Sequence, residues 1–218
     1  MARPDDIQGV LFDFDGTLAD SMPYWRKIDI QLFNEFNAPY TIELFQRLTP
    51  LSEEETAVEF QNQGVQLPVE EIVRRKNDFM EDAYLHKITL KPQVQEYMDQ
   101  LQQKGAVLAI CSSTASRLLK ACVQRLGVAD YFTAIYSASE MGFSKGDPGL
   151  YLHICKELGV QPQEVTFYDD NVEAVQGATG AGVHTVGIYD PASDHRWTLL
   201  QQSAERSIRS FQELMEHR

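Results

Sequence analysis

The sequence predicts an α/β protein with a parallel sheet, helices on both faces of the sheet and an inserted α-helical domain. Short apolar runs that resemble buried strands alternate with amphipathic helical patterns, which is the arrangement of a parallel sheet covered by helices. The interval between the first run and the second is far longer than the dozen or so residues that a crossover needs. The alternation predicts the sheet, and the long interval predicts the insertion.

Five apolar runs are the predicted strands. They are Gly9–Phe14, Ala106–Cys111, Phe132–Tyr136, Val165–Tyr168 and Val183–Ile188. Between the later runs, apolar side chains recur at helical spacing near residues 118–126 and 151–158. Ligands of open parallel sheets bind at the carboxyl ends of the strands, so polar residues directly after these runs are candidates for a site.

The long interval after the first strand predicts a second domain. Apolar residues recur at helical spacing over residues 25–36 and 72–80. We therefore predict a core formed by residues 1–19 and 89–218, and a helical cap at 20–88. A domain that leaves the sheet at the carboxyl end of its first strand would lie over a site there as a lid.

Composition and charge limit the classes of function. The formal charge is −13 at pH 7, whereas nucleic acids and anionic membranes are bound by basic surfaces, so neither partner is expected. The N-terminus lacks an apolar targeting segment and no run approaches the roughly 18 apolar residues of a membrane span, which predicts a cytoplasmic protein. The three cysteines are widely spaced, which is typical of buried thiols in a reducing compartment. An anionic substrate would need a local cation.

Two aspartates follow the first strand in the segment Asp13-Phe14-Asp15-Gly16-Thr17. Gly16 permits a sharp turn, so Asp15 can project into the same site as Asp13. One carboxylate can attack phosphorus to form an acyl phosphate, and its neighbour can protonate the leaving oxygen and later deprotonate water. An Asx turn at the strand end is the alternative for Asp-Gly, but the whole segment is much rarer than its parts. The segment predicts a catalytic carboxylate pair.

A second acidic pair, Asp169-Asp170, follows the fourth predicted strand. Acidic side chains gathered at one edge of a sheet repel one another in a partly desolvated site, and a divalent cation relieves that repulsion. Carboxylate oxygens suit Mg²⁺, which keeps several waters and also accepts a phosphate oxygen. Capping of the next helix by Asp170 or Asn171 is the alternative, and it is compatible with a metal role.

Two further segments offer groups that bind phosphate. Ser112-Ser113-Thr114 follows the second strand and precedes a helix, where hydroxyls and free N–H groups bind anions, although such residues also cap helices in most proteins. Lys145 lies in a loop rich in glycine and proline after the third strand. A lysine in such a loop is commonly a surface residue, but a loop that returns to the same sheet edge would bring its charge to the phosphate and the acidic cluster.

The sequence resembles the haloacid dehalogenase superfamily through four motifs in the same order: Asp13-Phe14-Asp15-Gly16-Thr17, Ser112, Lys145 and Asp169-Asp170. The resemblance covers essentially the whole chain. It is strongest to the branch with a helical cap after the first strand, which includes β-phosphoglucomutase-like phosphatases. It implies a Rossmann-like core and a cap that opens and closes over the site.

The resemblance also implies a role for each motif residue. Asp13 would be the nucleophile, and Asp15 the acid and base. Ser112 would bind the transferring phosphoryl group, and Lys145 would orient the nucleophile and the phosphate. Mg²⁺ would be held by Asp13, the backbone carbonyl of Asp15 and Asp170, with Asp169 acting directly or through water. The predicted phosphate-binding set comprises Gly16, Thr17, Ser112, Ser113, Lys145 and the cap residue Lys76.

The cap departs from the sugar-phosphate mutases of this branch. Trp25 stands where those enzymes carry a histidine, and Glu53 falls where they carry the arginine that grips a second phosphate. Both differences argue against mutase chemistry. The segment Arg75-Lys76-Asn77-Asp78 resembles the mutase segment that contacts the sugar, and a solvated helix face is its alternative explanation. Candidate ligand contacts in the cap are Tyr24, Trp25, Arg75 and Lys76.

We therefore predict a Mg²⁺-dependent phosphatase that hydrolyses a small phosphorylated metabolite, such as a sugar phosphate, through an aspartyl-phosphate intermediate. The first alternative is a β-phosphoglucomutase-like phosphosugar mutase. The second is a non-catalytic metabolite-binding or regulatory protein with the same fold. The presence of Asp15 with Asp169-Asp170 disfavours a dehalogenase, since those relatives act without this acid and base or the metal cluster.

Overall fold

The computed structural model describes residues 8–48, 51 and 53–215 of the chain. Residues 1–7, on which part of the prediction of a cytoplasmic location rests, lie outside these ranges. Within them the chain forms two compact units, a core unit and a helical unit. The helical unit runs from Ser21 to Ile88.

Ten α-helices occur in the described residues. In chain order they are α1 Met22–Glu35, α2 Ile42–Leu48, α3 Glu53–Asn62, α4 Val69–His86, α5 Val94–Gln103, α6 Ser116–Arg125, α7 Pro148–Leu158, α8 Val172–Gly180, α9 Trp197–Ser203 and α10 Gln212–Met215. Within these described residues, none combines the length and the apolar character that crossing a membrane requires.

The core unit is built on a six-stranded sheet in the order β3-β2-β1-β4-β5-β6. The strands are β1 Gly9–Phe12, β2 Val107–Ser112, β3 Phe132–Ser137, β4 Val165–Asp169, β5 His184–Ile188 and β6 Arg206–Ile208. All neighbouring pairs are parallel, so the predicted fold class is confirmed. The strand β6 was not predicted, because a three-residue strand is too short to produce a periodic pattern.

The strand order reverses between β1 and β4. The chain passes from β1 outward through β2 to β3, and then returns to place β4 on the other side of β1. A reversal of this kind leaves a crevice at the carboxyl ends of the two central strands, because the following connections leave in opposite directions. Asp13 follows β1, and Asp169 is the last residue of β4.

Buried side chains fix the helices on both faces of the sheet. Leu11 of β1 and Phe167 of β4 pack with Tyr151 of α7 in one buried cluster. Phe12, the next residue of β1, points to the opposite face, where its ring lies 6.5 Å from that of Tyr97 in α5. Alternation along β1 thus joins a different helix to each face.

The helical unit has an apolar core of its own. Leu32 and Phe33 of α1, Phe60 of α3 and Ile72 of α4 are almost completely buried in it. The helical periodicity of apolar residues in the sequence indicates these buried faces of α1 and α4. The observed unit, 21–88, differs from the predicted cap by one residue.

Candidate active site

The chain turns sharply after β1 and places Asp13 at the strand end. The backbone N–H of Asp13 still donates to the carbonyl of Tyr168 in β4 at 2.9 Å, although the strand itself ends at Phe12 and not at the predicted Phe14. Gly16 then adopts a φ of +82°, which side chains disfavour. A Cβ at Gly16 would also lie 2.8 Å from Oδ2 of Asp170. Glycine is therefore required both by the turn and by the neighbouring carboxylate.

Three carboxylates meet at the ends of β1 and β4. Asp13, Asp169 and Asp170 are buried, and each offers an oxygen within 4.8 Å of the other two. Burial raises the pKa of Asp170 to about 7, and the charges of Asp169 and Asp190 add to this. Burial likewise raises the pKa of Asp13, against the opposing effect of Lys145. The cluster accumulates negative charge that protein groups neutralise only in part.

Lys145 is the cation in contact with this cluster. Its Nζ donates to Oδ1 of Asp13 at 2.6 Å and forms an ion pair with Asp169. Burial by itself would lower the pKa of the Lys145 ammonium, but the two carboxylates hold it well above its usual value. Lys145 is thus a charged residue at the sheet edge and not a surface lysine.

The loop that carries Lys145 packs against α7 and α8. The hydroxyl of Tyr151 in α7 contacts the carbonyl of Lys145 at 2.8 Å and that of Ala174 at 3.0 Å. A Cβ added to Gly177 of α8 would come within 2.5 Å of the Lys145 carbonyl. The loop therefore packs directly against the α8 backbone. This contact fixes the position of the Lys145 ammonium relative to the sheet.

Thr114 links Asp15 to the segment after β2. Its Oγ1 donates to Oδ2 of Asp15 at 2.8 Å, and its backbone N–H donates to Oγ of Ser112 at 3.1 Å. Ser112 is 1% exposed at the end of β2, whereas Ser113 is exposed and its carbonyl accepts from Ser139. The segment before α6 thus brings a hydroxyl to the candidate acid and base.

Thr114 and Tyr151 were missing from the predicted site residues. Thr114 belongs to the Ser-Ser-Thr segment, so its hydroxyl could have been included from the sequence. Tyr151 was assigned only to the apolar face of α7. Its contact is with a backbone carbonyl, and a sequence carries no signal for such a partner.

Two further residues of the predicted phosphate-binding set are Thr17 and Lys76. The side chain of Thr17 is completely buried. In the helical unit, Lys76 is 7% exposed, and its Nζ lies 2.8 Å from Asp29 in a buried ion pair. Arg75 pairs with Glu35 and Glu71.

The neighbouring cap candidates are also placed by the structure. Asn77, next to Lys76, donates to Glu53 at 3.2 Å, and Asp78 pairs with Arg74. Every side chain of the segment 75–78 therefore has a partner inside the helical unit. Tyr24 and Trp25 are half-buried.

The residues present fit a hard divalent cation. Asp13, Asp169 and Asp170 supply carboxylate oxygens close enough to share one ion, and their mutual repulsion is the condition that a cation relieves. Lys145 neutralises part of the charge and leaves net negative charge on the cluster.

The fold and the site together define a doubly wound α/β protein with an aspartate and lysine centre at its topological switch point. The family profile of haloacid dehalogenase-like hydrolases matches residues 10–188, and the chain belongs to this family. The predicted family and the predicted enzyme class, a phosphoric monoester hydrolase, are confirmed.

Individual relatives match along most of their length. The phosphorylated carbohydrates phosphatase of Thermotoga maritima is 24% identical over 200 residues, which are 91% of this chain and 92% of that protein. The phosphoglycolate phosphatase of Escherichia coli strain K12 is 26% identical over 212 residues, covering 86% of this chain and 83% of that protein.

The fold also matches a solved structure. The crystal structure of CbbY from Rhodobacter sphaeroides in complex with phosphate has a TM-score of 0.80 at 23% identity, and the match covers 95% of this chain and 96% of that chain.

Proposed function

We propose that the protein is a Mg²⁺-dependent phosphatase that hydrolyses a small phosphorylated carbohydrate through an aspartyl phosphate on Asp13. The observation that carries the proposal is the contact of Lys145 with both Asp13 and Asp169, beside Asp170. A carboxylate, a positive charge held beside it and a set of metal-type ligands lie together at one sheet edge, which supports the proposal. Phosphoryl transfer needs these three components.

In the first half-reaction, an oxygen of Asp13 attacks the phosphorus of the substrate. The bond between phosphorus and the ester oxygen breaks, and Asp15 donates a proton to the leaving alkoxide. In the second half-reaction, water attacks the phosphorus of the aspartyl phosphate, the bond between phosphorus and the Asp13 oxygen breaks, and Asp15 accepts a proton from the water. Inorganic phosphate leaves, and Asp13 and Asp15 return to their initial states.

Other residues would bind the phosphoryl group. Lys145 is already in contact with Asp13, so its ammonium would lie beside the transferring group and stabilise its charge. Ser112 and Ser113, ahead of the N-terminus of α6, would supply hydroxyl and N–H donors. Gly16 would allow the phosphate to approach the backbone closely, since it has no side chain.

Asp13, Asp169, Asp170 and the backbone carbonyl of Asp15 would hold Mg²⁺. The ion would supply positive charge that offsets the repulsion between these carboxylates and the phosphate. Asp170 and Asp13 are the carboxylates we assign to direct binding, and Asp169 would act directly or through water. The helical unit follows Asp15 closely in the chain, and we assign it the role of the cap that excludes water during transfer.

The substrate class follows from the relatives and from the cap. The printed name of the Thermotoga maritima relative is a phosphatase of phosphorylated carbohydrates, which makes sugar phosphates the first class to test. A mutase is not favoured, because Glu53 falls where mutases carry the arginine that grips a second phosphate, and Trp25 stands where they carry a histidine. A non-catalytic protein is not favoured either, because all four motifs are intact. Lys76 as a substrate contact stays a prediction, and its pairing with Asp29 argues for a structural role.

The proposal is tested by phosphate release. We expect turnover of an aryl phosphate in Mg²⁺, loss of turnover in EDTA and recovery when Mg²⁺ is restored. Asp13→Asn should abolish turnover, whereas Asp130→Asn, at an exposed aspartate of the core unit, should not change it. A panel of sugar phosphates then identifies the class. Full activity in EDTA would exclude the metal, and conversion of a hexose 1-phosphate to the 6-phosphate without free phosphate would make the protein a mutase.

A further inference from the structure

Asp170 is held by a residue that lies outside the four motifs. The hydroxyl of Ser193 donates to Oδ2 of Asp170 at 3.1 Å, and both side chains are buried. Ser193 lies in the short 3₁₀ helix Pro191–Arg196, after β5. Its own backbone N–H donates to the carbonyl of Asp190 at 3.0 Å, so the hydroxyl is presented from a fixed turn.

A second, largely buried cation fixes that turn to the loop after β1. The ammonium of Lys91 contacts the carboxylate of Asp190 at 2.7 Å, the carbonyl of Tyr189 at 3.3 Å and the carbonyl of Gly16. An ammonium group has three N–H donors, and three oxygens converge on this one. The side chain of Lys91 is 14% exposed and that of Asp190 is 3% exposed. Lys91 therefore joins two loops that are more than 170 positions apart in sequence.

These contacts restrict the carboxylate of Asp170, either directly or through Gly16 and Asp190. Gly16, whose carbonyl Lys91 holds, would bring any Cβ within 2.8 Å of Oδ2 of Asp170. Asp190, whose carboxylate Lys91 holds, also accepts from the N–H of Ala192 at 2.8 Å and so begins the turn that presents Ser193. Asp170 is thus confined at Oδ2, where the Ser193 hydroxyl donates and where Gly16 leaves no room for a side chain.

We infer that Ser193 and Lys91 are positioning residues for Asp170, which they hold in the orientation that binds the metal ion. The inference rests on the proposed function, since it assigns Asp170 to a Mg²⁺ site. A carboxylate without such partners would sample several orientations and would have to be ordered when the ion binds. Residues that orient a metal ligand contribute to metal affinity without touching the ion.

The test is the affinity for Mg²⁺, measured by isothermal titration calorimetry of the metal-free protein with magnesium chloride. Ser193→Ala removes one hydroxyl and keeps the backbone contacts of the turn. We expect its Kd for Mg²⁺ to rise about tenfold, which is the usual effect of losing a partner of a metal ligand. At saturating Mg²⁺ its kcat should return toward the wild-type value, because the variant lacks an orienting contact and not a reacting group.

Ser203→Ala is the matched control. Ser203 also carries a side-chain hydrogen bond, from Gln176 at 3.3 Å, but it lies at the end of α9 and not on the acidic cluster. Its Kd for Mg²⁺ should equal that of the wild type. Lys91→Met is a second variant and should raise the Kd at least as much as Ser193→Ala. If Lys91→Met does not fold, Ser193→Ala decides the question alone.

The outcomes separate the inference from the proposed function. If the wild type binds Mg²⁺ and releases phosphate while Ser193→Ala binds Mg²⁺ with unchanged Kd, the positioning role is wrong and the phosphatase stands. If the wild type itself neither binds Mg²⁺ nor releases phosphate, both are wrong. A loss of activity in Ser193→Ala that added Mg²⁺ does not restore would assign Ser193 to the general structure of the turn and overturn the inference.

Discussion

The ammonium of Lys145 donates a 2.6 Å hydrogen bond to Oδ1 of Asp13 and at the same time pairs with Asp169. Asp13 follows the central strand β1, and Asp169 ends its neighbour β4. One cation is therefore shared by carboxylates at the ends of two strands, and its hydrogen bond restrains the orientation of the Asp13 carboxylate. Asp170, the third carboxylate of the cluster, lies beside this contact.

Replacement of Lys145 should remove most of the activity. We expect Lys145→Met to lower kcat/KM by about 10²–10³-fold, as for the loss of one group that stabilises transition-state charge. The exposed Lys156 of α7 provides the control, and Lys156→Met should behave as the wild type. Steady-state kinetics with an aryl phosphate measures both. Activity within threefold of the wild type in Lys145→Met would mean that the contact with Asp13 has no catalytic role.

Replacement of Gly177 by alanine should displace the loop that carries Lys145. Alanine usually stabilises a helix by about 0.5–1 kcal/mol relative to glycine. At Gly177 the new Cβ would meet the Lys145 carbonyl at 2.5 Å, so we expect Gly177→Ala to destabilise the protein by about 1–3 kcal/mol and to reduce kcat. Urea denaturation and phosphate release measure the two effects.

Gly180→Ala, in the same helix, is the control for this substitution. Its Cβ would meet a ring carbon of Pro148 at 3.0 Å rather than a backbone carbonyl, so the perturbation should be smaller. Equal activity of the two variants would show that the Lys145 loop does not depend on its contact with α8.

Loss of only one partner of the ion pair between Lys76 and Asp29 should destabilise the helical unit more than loss of both partners. Lys76→Met leaves a buried carboxylate without its partner and should lower the free energy of unfolding by about 3–5 kcal/mol. Arg74→Met, on the same helix, breaks two exposed pairs, with Glu71 and Asp78, and should cost about 0–1 kcal/mol per pair. Asp29→Asn combined with Lys76→Met should recover much of the loss, because no unpaired charge remains.

The deficit of Lys76→Met should also depend on pH. Burial already raises the pKa of Asp29, against the opposing effect of Lys76, and loss of Lys76 removes that opposition. The penalty falls on the charged carboxylate, so it is present where Asp29 of the folded variant is ionised and shrinks as the pH falls through the raised pKa of Asp29 and the carboxyl group becomes protonated. Urea denaturation at pH 7 and pH 4 measures it. A deficit that stays constant across this range would exclude Asp29 as its cause.

The three cysteines should be unreactive in the folded protein. Burial raises the pKa of Cys111 to about 12, and those of Cys122 and Cys155 to about 11. A thiol reagent attacks the thiolate, which an ordinary cysteine forms near pH 8.5. At pH 8 we expect slow modification of the native protein and rapid modification of three thiols after unfolding. Rapid reaction of one thiol in the native state would contradict the burial of that thiol.

The positions of the site residues could be predicted because they follow from strand ends. Asp13, Ser112 and Asp169 each lie at or directly after a strand whose apolar run the sequence reveals. Parallel strands align their carboxyl ends, so the order of elements brings these residues together without detailed geometry. The position of the Lys145 ammonium was harder to predict, because it depends on how the loop that carries it packs against α8.

The contacts of Lys91 and Ser193 could not be predicted in the same way. Two of the three oxygens that Lys91 contacts are backbone carbonyls, which every residue type has, and the third belongs to Asp190, far along the sequence. The partner of Ser193 lies 23 positions away, and the 3₁₀ helix that carries Ser193 has no periodic pattern. In the helical unit, Lys76 resembled a ligand contact in the sequence, but its partner Asp29 on α1 becomes evident only when α1 packs against α4.

Trapping of the covalent intermediate tests the central claim most directly. An acyl phosphate reacts with hydroxylamine to form a hydroxamate on the carboxylate that carried the phosphoryl group. Wild-type protein turning over an aryl phosphate in hydroxylamine should be modified at Asp13, as identified by mass spectrometry of its peptides, and should lose activity in parallel. Protein without substrate should not be modified. Sustained turnover in hydroxylamine without modification of Asp13, or modification of Asp15 or Asp170 instead, would contradict an aspartyl phosphate on Asp13.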